Sequence, residues 1–254
     1  MILDSLTHLT RSGKWFNTKY KCSEKLLLSS MESDGVDKAM VTGLPLIDEN
    51  LYILDVCKKS QERLVPLPLI SSLSEQALEL ELNDYISKGA KCVKLHPRFC
   101  KISLSDRRIH DLFELCESYK ITVFVCTVPN TKDLVSGMTI ESLIISLVNA
   151  HPNVKTVLLH GGYTHLLSIA ELVRPYENVL VDLSATLTRF YDSSIGLDIK
   201  YLFRHFETRL TLGSDFPEYS YHDVKECLIK IDLNMEYAVS SGIAGKNLYN
   251  LINA

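Results

Sequence analysis

The sequence carries no surplus of positive charge: 27 lysines and arginines stand against 31 acidic residues, for a formal net charge of −4. That balance argues against a nucleic-acid or anionic-membrane partner. No run of eighteen apolar residues occurs, so no segment is long enough to span a bilayer as a helix. The cysteines fall singly at positions 22, 57, 92, 100, 116, 126 and 227, with no C-x-x-C pair. An odd, scattered set argues against a disulfide framework and for a reducing compartment, so a cytoplasmic location is expected. No basic region precedes the first apolar residues and Asp4 interrupts them, so no signal peptide is expected. No G-x-G-x-x-G follows the first strand, which counts against a dinucleotide-binding fold. Low-complexity tracts and linkers are absent too.

What remains is a chain of 254 residues, 46% hydrophobic and 23% charged, close to the ~250 residues of one eight-stranded α/β barrel. Its most informative stretch is Val154 to Gly162, where Thr156-Val157-Leu158-Leu159 suits a strand buried on both faces. This run ends in His160 and two glycines, where the backbone can turn sharply. A buried strand that delivers one polar side chain at its C-terminal tip, before a helix at Leu166–Arg174, is how α/β barrels build active sites.

The same unit recurs along the chain. Strands are predicted at Ile2–Leu9, Lys38–Gly43, Leu64–Ile70, Lys91–Pro97, Ile121–Thr127, the Val154 stretch, Asn178–Ala185 and Leu210–Pro217. Pro66 and Pro68 weaken the third. Period-two alternation puts Asp4, Leu6 and His8 on one face of the first, and Lys94 and His96 on one face of the fourth. Thr10–Tyr20, with Trp15, should loop over the mouth. Helices are predicted at Glu24–Asp34, Asn50–Glu62, Ser74–Lys88, Asp106–Tyr119, Thr139–Asn149, Lys200–Phe206, Tyr221–Ile231 and Glu236–Leu251. Eight strand–helix units predict one domain over residues 1–254, a closed parallel (β/α)8 TIM barrel rather than an open sheet.

In such a barrel the strand tips converge on one mouth. They are His8, Lys94, His96, Cys126 or Thr127, His160, Ser184 and Asp215. Each alone has a structural reading as a cap or a small buried side chain, but burying so many polar groups together needs compensation. Their chemistry is metal-assisted or acid–base hydrolysis: imidazole, thiolate and carboxylate ligate divalent metals, and Asp215 could also act alone as a base beside His160. His110, His151, His205 and His222 fall in predicted helices or loops and are expected at the surface.

These stretches resemble the amidohydrolase superfamily, in its amidohydrolase-related branch of small-carboxylate hydrolases, lactonases and decarboxylases. The resemblance is carried by Gly89 to Pro97, by Leu159-His160-Gly161-Gly162 with Asn178 to Ser184, by Gly213-Ser214-Asp215-Phe216-Pro217, and by Gly245-Lys246-Asn247. It implies a metal held by a His-x-His on strand one, a histidine on strand five and an aspartate on strand eight, with the strand-six histidine acting on substrate or water. His8, His160 and Asp215 match that pattern. Leu6 stands in place of the first histidine and Cys126 in place of the strand-five histidine. The resemblance therefore implies a degenerate site: His8, Cys126 and Asp215 as metal ligands, with one divalent ion, zinc by ligand chemistry, held sub-stoichiometrically or not at all. It implies a lactonase-like hydrolase in which Asp215 activates water and His160 assists, with Lys94, His96, Arg98, Tyr163 and Ser184 contacting a carboxylated substrate. The alternatives are a metal-dependent decarboxylase and a barrel that has lost catalysis and serves as a binding or scaffolding protein. By analogy with the branch, a homodimer is expected.

Overall fold

The computed structural model describes residues 1–254 apart from 46–48, 72, 74, 130–132 and 134. Among the described residues eight strands succeed one another around a barrel: β1 (Leu3–His8), β2 (Lys38–Thr42), β3 (Leu64–Pro66), β4 (Cys92–Leu95), β5 (Thr122–Cys126), β6 (Thr156–Leu159), β7 (Val179–Asp182) and β8 (Leu210–Thr211). β1 to β3 pair in parallel, as do β4 to β8. Backbone hydrogen bonds close both seams. Between the third and fourth strands, Lys94 N–H donates to Pro68 O at 2.8 Å and Ile70 N–H to Lys94 O at 2.9 Å. Between the eighth and first, Ser5 N–H donates to Leu212 O at 3.1 Å, Asp215 N–H to Leu6 O at 3.0 Å and His8 N–H to Phe216 O at 2.9 Å. The chain is a TIM barrel. β3 is the shortest of the regular early strands because Pro66 and Pro68 have no N–H to give the ladder; Pro68 still contributes its carbonyl.

Helices follow the strands on the outside. Glu24–Asp34 starts at Ser23, whose side chain accepts from Leu26 N–H, and stops at Gly35, whose N–H closes on Met31 and Glu32 carbonyls. Arg107–Tyr119 is capped by Asp106, and Ile140–Ala150 by a reciprocal Thr139–Ser142 pair. The helix expected from Ser74 runs Glu75–Ser87, and Ser74 itself lies outside the described residues. Two expectations are corrected. The helix placed at Lys200–Phe206 begins earlier, at Ser194, because Ser193 caps it. The helix placed at Glu236–Leu251 is two, Met235–Ser240 and Lys246–Asn253. They part where the chain turns inward and Ala244 O accepts the Leu3 N–H at 2.8 Å. Among the described residues no helix is long and apolar enough to cross a membrane.

The core has the two parts a barrel requires. Val123, Val125, Leu158, Val179 and Val181 pack outward against the helices. Leu3, Leu6, Met40, Leu67, Cys92, Phe124, Val157, Leu159 and Leu180 fill the interior, with Leu248 and Ile252 closing its floor. Strict alternation fails in β1. The register against β2 slips between Asp4 and Thr7, so β1 carries one extra residue there. Leu3 and Leu6 therefore both point inward, and Asp4 leaves the face it was expected to share with Leu6 and His8. It turns to Ser214 instead, accepting from its N–H at 2.8 Å and its hydroxyl at 2.6 Å.

Burial raises the Asp4 carboxyl to a pKa of about 7, against the pull of the Ser214 bonds. The folded state thus holds a proton that the unfolded chain releases near pH 3.8. This contribution to stability is fully present below the unfolded pKa and is lost as pH rises through about 7. At most it is worth roughly 4 kcal/mol. Urea unfolding at pH 5 and pH 8 should therefore show a stability drop that Asp4→Asn reduces, since an amide oxygen can still accept from Ser214. An unchanged drop in the variant would mean Asp4 does not titrate in this window.

Candidate active site

The polar strand tips meet at the C-terminal end of the barrel, and three local devices aim them. At β6, Val157 and Leu159 face the interior, so plain alternation would send His160 outward. Instead the backbone enters the left-handed region at His160 (φ 65°), Gly161 (53°), Gly162 (77°) and Tyr163 (58°). Gly162 adopts φ 77°, where a side chain is strained, and a Cβ there would also lie 2.0 Å from Ile169 Cδ1. The turn is pinned from three sides. Asp182 Oδ1 accepts the His160 N–H at 3.2 Å, Thr186 Oγ1 donates to His160 O at 2.6 Å, and Thr127 Oγ1 accepts the Gly162 N–H at 2.7 Å.

At β7, Asp182 is fully buried and gathers four donors: the His160 and Ser184 amides and the hydroxyls of Ser184 and Ser5. It ties β1, β6 and β7 together below the mouth. At β8, Gly213 lets the strand lie against its neighbours, since a Cβ there would sit 2.3 Å from Ser5 Oγ. Asp215 then takes φ 65°, which turns its carboxylate toward His8.

His8 is buried, with Nδ1 lying 3.2 Å from Phe216 O and 3.4 Å from Asp215 Oδ1. Two acceptors there assign the ring proton to Nδ1, leaving Nε2 to accept from Lys94 Nζ at 3.0 Å. Burial and the neighbouring Lys94 charge hold the ring well below its ordinary 6.5, so it stays neutral. Lys94 is 2% exposed, and its pKa is lowered by burial, opposed by Cys126, Asp215 and Asp182.

Cys126 lies against His96 and His160. Burial opposes its thiolate, but the two imidazoles bring its pKa well below 9.0. Reciprocally, burial opposes charge on His160, while Cys126, then Asp215 and Asp182, raise it to about 9. The His160 Nδ1–H donates to Ser184 O at 2.9 Å, so Nε2 is the nitrogen that meets Cys126. Burial raises the Asp215 carboxyl above its ordinary range, with His160 and Lys94 opposing.

The expected substrate contacts divide in two. Lys94 and Ser184 are turned inward, onto His8 and onto Asp182 with His160. His96 is buried, edge-on to Phe99, and its Nδ1 has no partner. Arg98 and Tyr163 stand at the rim: Arg98 is exposed above the Phe99 ring, and Tyr163 packs edge-on to His160 at 5.6 Å. Sequence reasoning missed Arg189, an exposed guanidinium 5.9 Å from the centre of the Tyr163 ring. Its signal was position alone, in the short helix Thr186–Phe190 just past β7. The first loop does cover the mouth: Trp15 packs on His8 at 4.7 Å, and its Nε1–H reaches Glu218 at 3.0 Å.

Two peripheral points complete the map. His205 and His222 are exposed as expected, but His151 is buried, packed on Phe113 with its Nε2 2.9 Å from His110 Nδ1. Its helix ends there, which turns the ring into the outer core. A cavity of about 900 Å³ lies at the opposite end of the barrel, lined by Leu3, Met40, Val65 and Ile252, away from the strand-tip side chains.

The family's metal can be tested against these donors. Among the described residues no three histidine, cysteine, aspartate or glutamate side chains are grouped to hold an ion. The His8 atom that would face an ion is taken by Lys94, Leu6 is fully buried hydrocarbon, and Cys126 is engaged with two imidazoles. The residues do not fit the family's metal.

The sequence model of the amidohydrolase family matches residues 7–242. No curated protein matches the chain by sequence. Among solved structures, an uncharacterised TIM-barrel protein from Bordetella bronchiseptica is similar over 99% of this chain and 98% of its own, with 16% identity and a TM-score of 0.79. A 2,6-dihydroxybenzoate decarboxylase from Rhizobium is similar over 99% and 98%, with 11% identity and a TM-score of 0.73. A 5-carboxyvanillate decarboxylase from Novosphingobium aromaticivorans, solved with manganese and 4-hydroxy-3-methoxy-5-nitrobenzoic acid, is similar over 100% and 96%, with 14% identity and a TM-score of 0.72.

Proposed function

The chain belongs to the amidohydrolase family, and on that premise we propose that its barrel hydrolyses a small carboxylated lactone, ester or amide. The observation that carries this reading is the pairing of Asp215 with His160. One is a carboxylate lifted toward the range of a working base, and the other an imidazolium held charged up to about pH 9. Two titratable groups in one mouth whose environments fix opposite roles are the mark of an acid–base pair.

Asp215 takes a proton from water, and the water oxygen attacks the substrate carbonyl carbon. Charge that develops on the carbonyl oxygen is met by the His160 imidazolium, which turns from Cys126 to protonate the leaving oxygen or nitrogen. His8 holds Asp215 through Nδ1, and Ser184 O fixes the His160 tautomer. Arg98 and Arg189, whose charges both act on Tyr163, bind the substrate's carboxylate at the rim. The family's decarboxylases set the competing reading, loss of carbon dioxide from the same kind of acid. It is disfavoured because the donors here do not form a metal ligand set.

The test is proton release from a lactone bearing a carboxylate and from its uncharged counterpart. The charged lactone should be preferred by ~10-fold or more in kcat/KM, the worth of one charge-assisted hydrogen bond. Arg98→Ala and Arg189→Ala should each raise KM for the charged lactone by ~10-fold and leave the neutral one unchanged. Carbon dioxide release without ring opening would replace this reading with the decarboxylase.

A further inference from the structure

His8, a residue that the family pattern assigns to a metal, is here bonded to a side chain instead. Lys94 Nζ donates to His8 Nε2 at 3.0 Å, and the charges it feels most are those of Cys126 and Asp215. It reaches this position because β4 directs it into the barrel, where it is among the largest fully buried side chains. A lysine buried to this extent is rare unless it is paired. Its partners are a neutral imidazole and two groups that carry negative charge, the donor types a divalent ion would take.

We infer that the ammonium of Lys94 is the resident cation of this site and takes the place of the metal ion. Three consequences follow from the placement. The His8 lone pair is spent on Lys94 and is not free for an ion. A zinc ion entering the group would bring two positive charges beside an ammonium, and like charges in a buried site repel strongly. The Lys94 charge also lies close enough to Asp215 to hold down the rise in its pKa that burial causes. On the hydrolytic reading above, Lys94 is thus a positioning residue: it holds His8, whose Nδ1 holds Asp215, and no proton passes through it in the reaction. The exclusion of metal does not depend on that reading.

The experiment measures metal rather than turnover. Wild type, Lys94→Ala and Lys94→Met are stripped with a chelator, exposed to excess zinc, desalted and analysed for zinc. Circular dichroism checks each fold. Wild type should keep zinc at background level. Lys94→Ala frees His8 Nε2 and removes the competing charge, so it should retain zinc clearly above the wild-type level. Lys94→Met keeps the bulk of the side chain without its charge, and serves if the alanine variant does not fold. A full equivalent of zinc in the wild type overturns the inference, whatever the variants do. So does a folded Lys94 variant that takes up no more zinc than wild type. Hydrolysis by a wild type that carries stoichiometric zinc would sink this inference and leave the proposed reaction standing. Metal-free protein without hydrolysis would do the reverse.

Discussion

Asp215→Asn should fold as the wild type does and lose ~100-fold or more in turnover of the lactone. The substitution removes a charge and keeps a shape. Asparagine tolerates the left-handed backbone that Asp215 adopts at φ 65°, so no strain is added. The Asp215 N–H still donates to Leu6 O at 3.0 Å, so the seam between the eighth and first strands is kept. The His8 Nδ1–H still has Phe216 O within 3.2 Å. What goes is the acceptor for the proton of the attacking water, which an amide cannot replace. Urea denaturation and steady-state kinetics on one preparation separate the two effects. An unfolded variant would make Asp215 a structural residue, and a folded variant with wild-type turnover would remove it from the mechanism.

The contrast between His160 and Lys94 marks what a sequence can and cannot tell. Both are polar residues at the C-terminal tip of an apolar strand, and that position singled out both. The eight strands were legible for the same reason: a strand buried on both faces is a short apolar run between turn residues, and eight of them at regular spacing leave few alternatives to a barrel. Direction at the tip was not legible. His160 reaches the mouth through four successive left-handed residues, and only the two glycines announce that turn. Lys94 was expected to hold substrate, because a lysine at a mouth normally keeps its ammonium in water. It points inward because three strands supply it with partners, and contacts among β1, β4, β5 and β8 are written nowhere in β4 itself.

The extra residue in β1 was hidden for a similar reason. Leu-Asp-Ser-Leu-Thr-His alternates acceptably as a regular strand, and only pairing against β2 exposes the slip that sends Asp4 to Ser214. The bulge also bears on the missing histidine. Leu6 is not an empty ligand position at the mouth; it is fully buried in the interior layer with Leu3, Met40 and Leu67. Restoring an imidazole there would put a polar ring into hydrocarbon, so the departure at Leu6 is part of the packing as well as of the chemistry.

His160→Gln should lower kcat/KM by ~100- to 1,000-fold, the usual cost of removing one preorganised donor to a developing oxyanion. The pH profile distinguishes this from a packing defect. In the wild type the alkaline limb should fall as pH rises through about 9, where His160 gives up the proton it needs as an acid. On the acid side activity should fall as Asp215 takes up a proton, at a pH above the ordinary carboxylate range because burial raises that group. Glutamine has no proton to lose in this window, so the His160→Gln profile should be flat on the alkaline side at its lower level. A second variant tests where the raised value comes from. The Cys126 thiolate is the first of the groups that offset burial at His160, so Cys126→Ser should move the alkaline limb below 9 without abolishing turnover. The limb belongs to the coupled Cys126–His160 pair, and removing either partner must shift it. An alkaline limb that survives at 9 in His160→Gln would assign it elsewhere, with Cys126, Lys94 and Tyr163 the other titratable groups of the site. Cys126→Ser with an unmoved limb would instead mean that the thiol is a small buried side chain and that Asp215 and Asp182 alone sustain the imidazolium.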